Sequence, residues 1–233
     1  MSVLPEHPDL DQARRQAKEL LHEAEGGHAG ALARLWSSSK GGGSPAVTGG
    51  VVYAGAGHTM YALRASNGHR LWSYDTGGPI QSSPAVTRGA DGVVYFGASD
   101  RVYALRASNG HKLWSYKAGP KLSTLPAVAR GVVYLGLGGR VDALRASNGH
   151  KLWSYTTGNG ASSSPAVANG VVYFVSGLYA DALRASNGHK LWSSKGSGGG
   201  GPPVVANGRV YVSGGSKVRA FALPANHTSQ AAP

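Results

Sequence analysis

Five carboxylates, Asp75, Asp91, Asp100, Asp142 and Asp181, are the whole acidic complement of residues 36–233. General acid–base chemistry needs a proton donor and acceptor whose environments push their pKa values apart. The matched pair here is Asp142 and Asp181, each just before the Ala of a recurring segment, "DALRASNGHKLW". Arg219 holds that place in the next copy, and Asp91 sits in an inserted turn, "RGADG", where a turn role suffices. Asp142 and Asp181 therefore read as solvated or ion-paired structural residues, and no catalytic residue is assigned. His69, His111, His150 and His189 each follow an Asn-Gly pair. Zinc needs its ligands about 2.0–2.1 Å from one ion, and one His per copy keeps these four apart, so they read as turn-flanking residues and no metal is assigned. The chain has no Cys, which removes disulfides and thiolate ligands. "SGGGGPP" at 197–203 is Gly-rich, but no helical pattern follows it to bind phosphate, and it reads as a loop.

The recurrence itself is the strongest signal. The phrase around "ALRASNGHKLWS" ends at Trp72, Trp114, Trp153 and Trp192. A second landmark falls at Pro45, Pro84, Pro126, Pro165 and Pro203, and the insertion "RGADG" explains the one longer step. Each copy runs from a short apolar stretch through a turn to a segment such as "VVYFGA". A polar or Gly-rich tip leads to "VYALRA", and Asn-Gly precedes "HKLWSY". These are four strand signals separated by turn chemistry, with Asn-Gly expected in a tight hairpin. A four-stranded antiparallel unit repeating about every 40 residues is a propeller blade. The Trp then fills the gap between stacked sheets.

The fold expected is all-β: a five-bladed β-propeller preceded by a short N-terminal α-helix. Residues 1–33 form the helical segment, with Leu10, Ala13, Ala17, Leu20, Leu21 and Ala24 on one face. Residues 34–226 form the propeller, and 227–233 a flexible tail. The fifth copy has three strand signals and no Trp, and "RLWSSSKGGGSP" at 34–45 parallels "KLWSSKGSGGGGPP" at 190–203. Residues 34–40, with Trp36, are expected to supply the missing outer strand and remove a sheet edge. That gives a closed monomer; an open arc pairing with another chain is the other arrangement.

The stretches 62–72, 104–114, 143–153 and 182–192 resemble the tryptophan-docking motif of the pyrroloquinoline-quinone (PQQ) propeller repeat, Ala-x-Asp-x-x-Thr-Gly-x-x-x-Trp. The matches are Ala62, Gly68 and Trp72; Ala104, Gly110 and Trp114; Ala143, Gly149 and Trp153; and Ala182, Gly188 and Trp192. The departures are Arg64, Arg106, Arg145 and Arg184 for the Asp, and Asn67, Asn109, Asn148 and Asn187 for the Thr. The resemblance covers residues 36 to about 223. It implies the blade type and leaves activity open, since the family holds eight-bladed quinoprotein dehydrogenases, an outer-membrane assembly scaffold and kinase sensor domains. The dehydrogenases need a quinone pocket, a Ca²⁺ held by oxygens and a catalytic carboxylate; no cofactor is assigned here.

In a four-stranded meander the first and third turns share one face of the ring. Arg64, Arg70, Arg106, Lys112, Arg145, Lys151, Arg184 and Lys190 border the third turns. Residues 1–35 carry six acids against four bases, whereas residues 36–233 carry five acids against nineteen bases, so the repeats hold the positive charge. A ring of cations attracts a polyanion, whether nucleic acid or anionic polysaccharide. The plainer reading is that copied repeats copy their charges and stay soluble. The opposite face varies between copies, at His58, Asp100, Arg101, Arg140, Tyr179 and Lys217, as a binding face or as loop drift. Tyr74, Tyr116 and Tyr155 read as blade packing.

The function expected is a non-catalytic binding or scaffold module, not an enzyme, that presents a basic face and variable loops to a protein or polyanionic partner. A polyanion binder is the alternative, and a quinone-binding oxidoreductase the third reading. No apolar run is long enough to span a membrane, and the start has no secretory h-region, so a cytoplasmic setting is expected.

Overall fold

The structure is a computed structural model that describes residues 43–88, 92–119, 122, 124–158, 163–195, 201–214 and 217–222. Blade 1 is β1 (Ala46–Thr48), β2 (Val51–Ala56), β3 (Thr59–Arg64) and β4 (Arg70–Asp75). Blade 2 is β5 (Ala85–Val86), β6 (Val93–Ala98), β7 (Arg101–Arg106) and β8 (Lys112–Lys117). Blade 3 is β9 (Ala127–Ala129), β10 (Val132–Leu137), β11 (Arg140–Arg145) and β12 (Lys151–Thr156). Blade 4 is β13 (Ala166–Ala168), β14 (Val171–Ser176), β15 (Tyr179–Arg184) and β16 (Lys190–Lys195). Blade 5 is β17 (Val204–Ala206), β18 (Arg209–Gly214) and β19 (Lys217–Ala222). Each is one antiparallel meander, four of four strands and the fifth of three among the described residues. The five-bladed all-β architecture read from the repeats is the one observed. The expected N-terminal helix, the closing strand at 34–40 with Trp36, Asp91 and the tail at 227–233 lie outside the described residues.

Turn chemistry sets the strand boundaries. The first turn is a two-residue hairpin with both φ positive, at Gly49-Gly50, Arg130-Gly131, Asn169-Gly170 and Asn207-Gly208. That geometry follows the twist of the flanking strands. The third turn differs from the tight Asn-Gly hairpin expected. Ala65–His69 form a five-residue loop in which Gly68, but not Asn67, has positive φ. The Gly68 N–H donates to the Arg64 carbonyl at 2.8 Å, and the His69 N–H to Asn67 Oδ1 at 3.0 Å. A register shift between Ala62 and Leu63 accommodates the loop. The same bonds recur at Asn109, Asn148 and Asn187. Asn in place of the motif's Thr is thus an Asx turn that caps the loop.

The loop is shaped to receive the previous blade. Trp72 Nε1 donates to the Ala107 carbonyl of blade 2 at 2.8 Å, Trp114 to Ala146 of blade 3 at 2.8 Å, and Trp153 to Ala185 of blade 4 at 2.9 Å. Tyr53, Tyr95 and Tyr134 reach the same three carbonyls at 3.3–3.4 Å. Each Tyr packs tilted on its own blade's Trp, with ring centroids 5.8–5.9 Å apart. The indole lies on the backbone of the next blade's Gly. A Cβ built on Gly110 would stand 2.6 Å from Trp72 Cε3, and one on Gly149 2.7 Å from Trp114 Cε3. The Trp does fill the gap between sheets, as expected, and it does so by docking on a neighbour's turn.

Inward of the docks, apolar side chains join consecutive sheets. Met60 and Ala62 of blade 1 meet Val94, Phe96 and Leu105 of blade 2. The same arrangement joins blades 2 and 3, 3 and 4, and 4 and 5. Tyr74 lies 6.0 Å from Tyr103, and Tyr155 6.3 Å from Phe174, so these tyrosines are packing residues.

Two glycines separate the cost of the dock from the cost of the backbone. Gly110 and Gly170 share a φ near +72, but nothing lies within 4 Å of a Cβ on Gly170. Gly170→Ala is expected to lose about 1 kcal/mol of stability, from the left-handed backbone alone. Gly110→Ala adds the collision with Trp72 and is expected to lose about 2–4 kcal/mol. Urea unfolding of the two variants checks the difference.

Candidate functional site

The third-turn face is held together by the backbone. Ala65, Ala107, Ala146 and Ala185 each donate an N–H across to a first-turn glycine, Gly50, Gly92, Gly131 and Gly170, at 2.8–2.9 Å. First and third turns therefore share one face, as expected. On it stand Arg64, Arg106, Arg145 and Arg184, the last residues of the third strands. Arg70, Lys112, Lys151 and Lys190 are the first residues of the fourth strands. All eight are exposed, and among the described residues no carboxylate lies within ion-pair distance of any of them. Arg88 and Arg130 are exposed at first turns on the same face.

A second series on this rim was not foreseen. Leu71, Leu113, Leu152 and Leu191 are 38–42% exposed, each directly after a cation on the outer strand and directly before the docking Trp. The strand's alternation turns Trp toward the next blade and leaves Leu on the other side, which only the arrangement of blades shows to be open. Between blades 1 and 2 the rim opens into a groove of about 480 Å³, whose walls include Leu71, Tyr53, Thr87, Arg88 and Ser108. The face thus offers repeated pairs of cation and apolar side chain. His69, His111, His150 and His189 are exposed, one per turn, and no three of His, Asp or Glu gather among the described residues.

The opposite face is uneven. The second turns lie at the far ends of the strands, where His58 and Lys217 are exposed and Asp100, Arg101, Arg140 and Tyr179 half-buried. Leu178, beside Tyr179, is 57% exposed. Two of the cations have structural partners. Arg101 Nη2 donates to Ser115 Oγ at 3.1 Å. Arg140 donates from Nε to both oxygens of Asp142, at 3.2 and 3.0 Å, and from Nη2 to the Ala118 carbonyl at 2.7 Å.

Asp142 is fully buried. Beyond Arg140 it accepts from Ser154 Oγ at 2.6 Å and from Tyr116 of blade 2 at 3.0 Å. Burial first, and the neighbouring carboxylate second, raise the Tyr116 hydroxyl above its usual range. Asp181, also buried, accepts from Ser176 Oγ at 2.8 Å. The two aspartates stand on different blades, each with its own partners. Asp75 accepts from the Gly77 N–H of its own turn. A quinone with its Ca²⁺ requires carboxylate and amide oxygens converging on one point. Asp75, Asp142 and Asp181 are committed to structural partners, and with Asp100 they stand on four separate blades, so they do not fit that group, and no step is derived through it.

Comparison with known proteins places this geometry. A family model described as outer membrane protein assembly factor BamB matches residues 28–227. No curated protein matches the sequence. Among solved structures, the computationally designed Ika8 protein superposes with a TM-score of 0.67 at 16% identity, over 77% of this chain and 57% of that one. BamB from Moraxella catarrhalis gives 0.63 at 19% identity, over 77% and 57%. Quinohemoprotein alcohol dehydrogenase from Comamonas testosteroni gives 0.60 at 17% identity, over 79% and 43%. At such identities the likeness is one of fold. The chain spans less than two thirds of the length of each.

Removing Asp142 strips a buried cluster of its acceptor. Asp142→Ala is expected to cost about 3 kcal/mol in urea unfolding, and Tyr116→Phe about 1 kcal/mol. A second expectation concerns alkaline pH. Burial raises the hydroxyls of Tyr53, Tyr95 and Tyr134 above 10, and that of Tyr173 to about 12. The fold thus favours the neutral phenols relative to the unfolded chain. Their contribution is complete below pH 10 and is lost as the pH rises from 10 toward 12, so the urea midpoint is expected to fall across that window.

Proposed function

The chain belongs to the family described as outer membrane protein assembly factor BamB, and from that premise we propose that it is a non-catalytic propeller scaffold that binds a protein partner on its third-turn rim. The observation that carries this reading is the repeated pair of an exposed cation and an exposed Leu on successive outer strands. Apolar side chains left open at regular spacing, rimmed by charge, are the features of a protein-binding surface. The docking of each Trp consumes one side of the outer strand and leaves the Leu side for the partner. The cations favour a partner whose contact surface is acidic. The variable second-turn loops, with His58, Tyr179 and Lys217, supply a further surface whose sequence the docks do not constrain.

A polyanion is the second reading, favoured by the eight exposed cations, which have no carboxylate in reach among the described residues. The two differ in how they depend on Leu and on salt. Labelled oligonucleotide and an acidic polypeptide, poly-glutamate with interspersed leucine, are titrated at two salt concentrations. The proteins are the wild type, a variant with Arg64, Arg106, Arg145 and Arg184 all changed to Gln, and one with Leu71, Leu113, Leu152 and Leu191 all changed to Ser. For a protein-binding rim, the Leu variant is expected to lose most affinity for the polypeptide while keeping its fold. For a polyanion site, only the Arg variant loses affinity, and oligonucleotide binding weakens steeply with salt. Polypeptide binding that neither variant alters overturns the rim as the docking surface.

A further inference from the structure

Blades 1 to 4 repeat their third turns nearly letter for letter, whereas their first turns differ. The differences gather on one groove. At the place where blades 3, 4 and 5 carry Arg130, Asn169 and Asn207, blade 1 carries Gly49. All four residues have the same left-handed backbone, with φ between 47 and 58. Three side chains satisfy that turn, so the turn itself does not demand glycine. What glycine changes is the space: a Cβ on Gly49 would have nothing within 4 Å. One residue earlier, Thr48 stands where blades 3, 4 and 5 have Ala129, Ala168 and Ala206. Thr48 and Gly49 both line the groove of about 480 Å³ between blades 1 and 2.

The lining of that groove divides into an apolar and a polar part. Tyr53 is 4% exposed and lies at its base, its hydroxyl donating to the Ala107 carbonyl at 3.3 Å. Half-buried Val51 and Val86, with the exposed Leu71, make an apolar wall drawn from both blades. Arg88 and Ser108 are exposed polar members of the same lining. Two further exposed cations adjoin it in sequence, Arg70 before Leu71 and Arg106 before Ala107. Clefts that hold ligands span about 300–1,000 Å³ and combine an apolar interior with a few placed polar groups. This groove is at the small end of that range, sized for a side chain or two and not for a folded surface.

Resting on the reading of the rim as a protein-binding surface, we infer that this groove is its anchor site. It takes one side chain of leucine or phenylalanine size from an extended segment of the partner, with a carboxylate beside it in that segment meeting Arg88. Charge complementarity identifies this occupant. An apolar segment without acids gains nothing from Arg88, and a purely anionic chain gains nothing from Val51, Leu71 and Val86. An apolar residue next to an acidic one uses both parts of the lining, and the Thr48 and Ser108 hydroxyls are further donors for the carboxylate.

The test uses two labelled peptides of glutamate and serine, one with a single phenylalanine at its centre and one with alanine there. Their binding to the full chain is followed by fluorescence anisotropy. The wild type is expected to prefer the phenylalanine peptide about tenfold, as burial of one such side chain allows. Gly49→Arg gives blade 1 the side chain that blade 3 carries on the same backbone, so the turn accommodates it. It is expected to abolish the preference by filling the groove, although its added charge attracts both peptides more strongly. Asn169→Arg adds the same charge at the first turn of blade 4 and is expected to keep the preference. Leu71→Ser removes an apolar wall and is expected to reduce the preference several-fold, with circular dichroism confirming that each variant is folded. A preference that survives Gly49→Arg and Leu71→Ser, or that Asn169→Arg removes equally, overturns the inference. So does a wild type that binds both peptides alike or binds neither. The rim reading is judged separately, by whether the variant with all four leucines changed keeps its affinity for the acidic polypeptide.

Discussion

One contact recurs at every described third-turn loop that follows a Trp: an indole N–H on the carbonyl of a turn alanine in the next blade, its ring flat on the glycine three residues on. Two requirements meet there. The loop must expose a carbonyl, which Asn supplies by capping the turn through its own side chain. The glycine must lack a Cβ, since one would stand inside the indole's van der Waals radius. The twelve-letter phrase is repeated because a joint needs both halves. The Trp at its end serves the following blade, and the Ala-Ser-Asn-Gly at its centre serves the preceding one. Changing either half in one copy leaves the other half, in its neighbour, without a partner.

This constraint separates what the sequence reveals from what it conceals. Blade number, strand order and the role of Trp were legible, because hairpin turns and β-branched runs are local signals and the repeat displays them five times. The direction of docking was not, since nothing within one copy says that its Trp belongs to the next. The third turn is hidden for the same reason: Asn-Gly is the sequence of a tight hairpin, and here it closes a five-residue loop whose first carbonyl accepts from the Trp of the preceding blade. The Asp142 cluster was half legible. An aspartate on an apolar strand signalled a partner, and Arg140 two residues earlier is on the same side of the strand. Tyr116, twenty-six residues away, comes within reach only through the stacking of blades. The exposure of Leu71 and its counterparts could not be seen at all, because an apolar residue beside Trp on a strand reads as core.

The docks also apportion the surface. Where the joint dictates the sequence, the copies agree; where it does not, on the second-turn tips, they diverge from His58 to Leu178. Agreement on the third-turn face is therefore not by itself a mark of function, since the joint alone would preserve Ala, Asn and Gly there. The arginines, lysines and leucines are a different matter. Their side chains take no part in the docking contacts, and with the exposed histidines and serines of the same turns they are positions whose repetition the joint does not explain.

An array joined by identical neighbour contacts has no natural end. A terminal unit in such an array needs either a polar outer face or a cover, because the face that joins inner units is apolar. Neither end blade here has exchanged its apolar positions for polar ones: Val218 and Ala220 stand where buried Val and Ala stand in blades 2 and 3, and Val52 and Leu63 keep the letters of Val94 and Leu105. Capping by substitution has not occurred, so the chain retains at both ends the surfaces with which it joins itself internally. The same chemistry that lets one blade receive the next is thus kept in the letters of the first and last described blades.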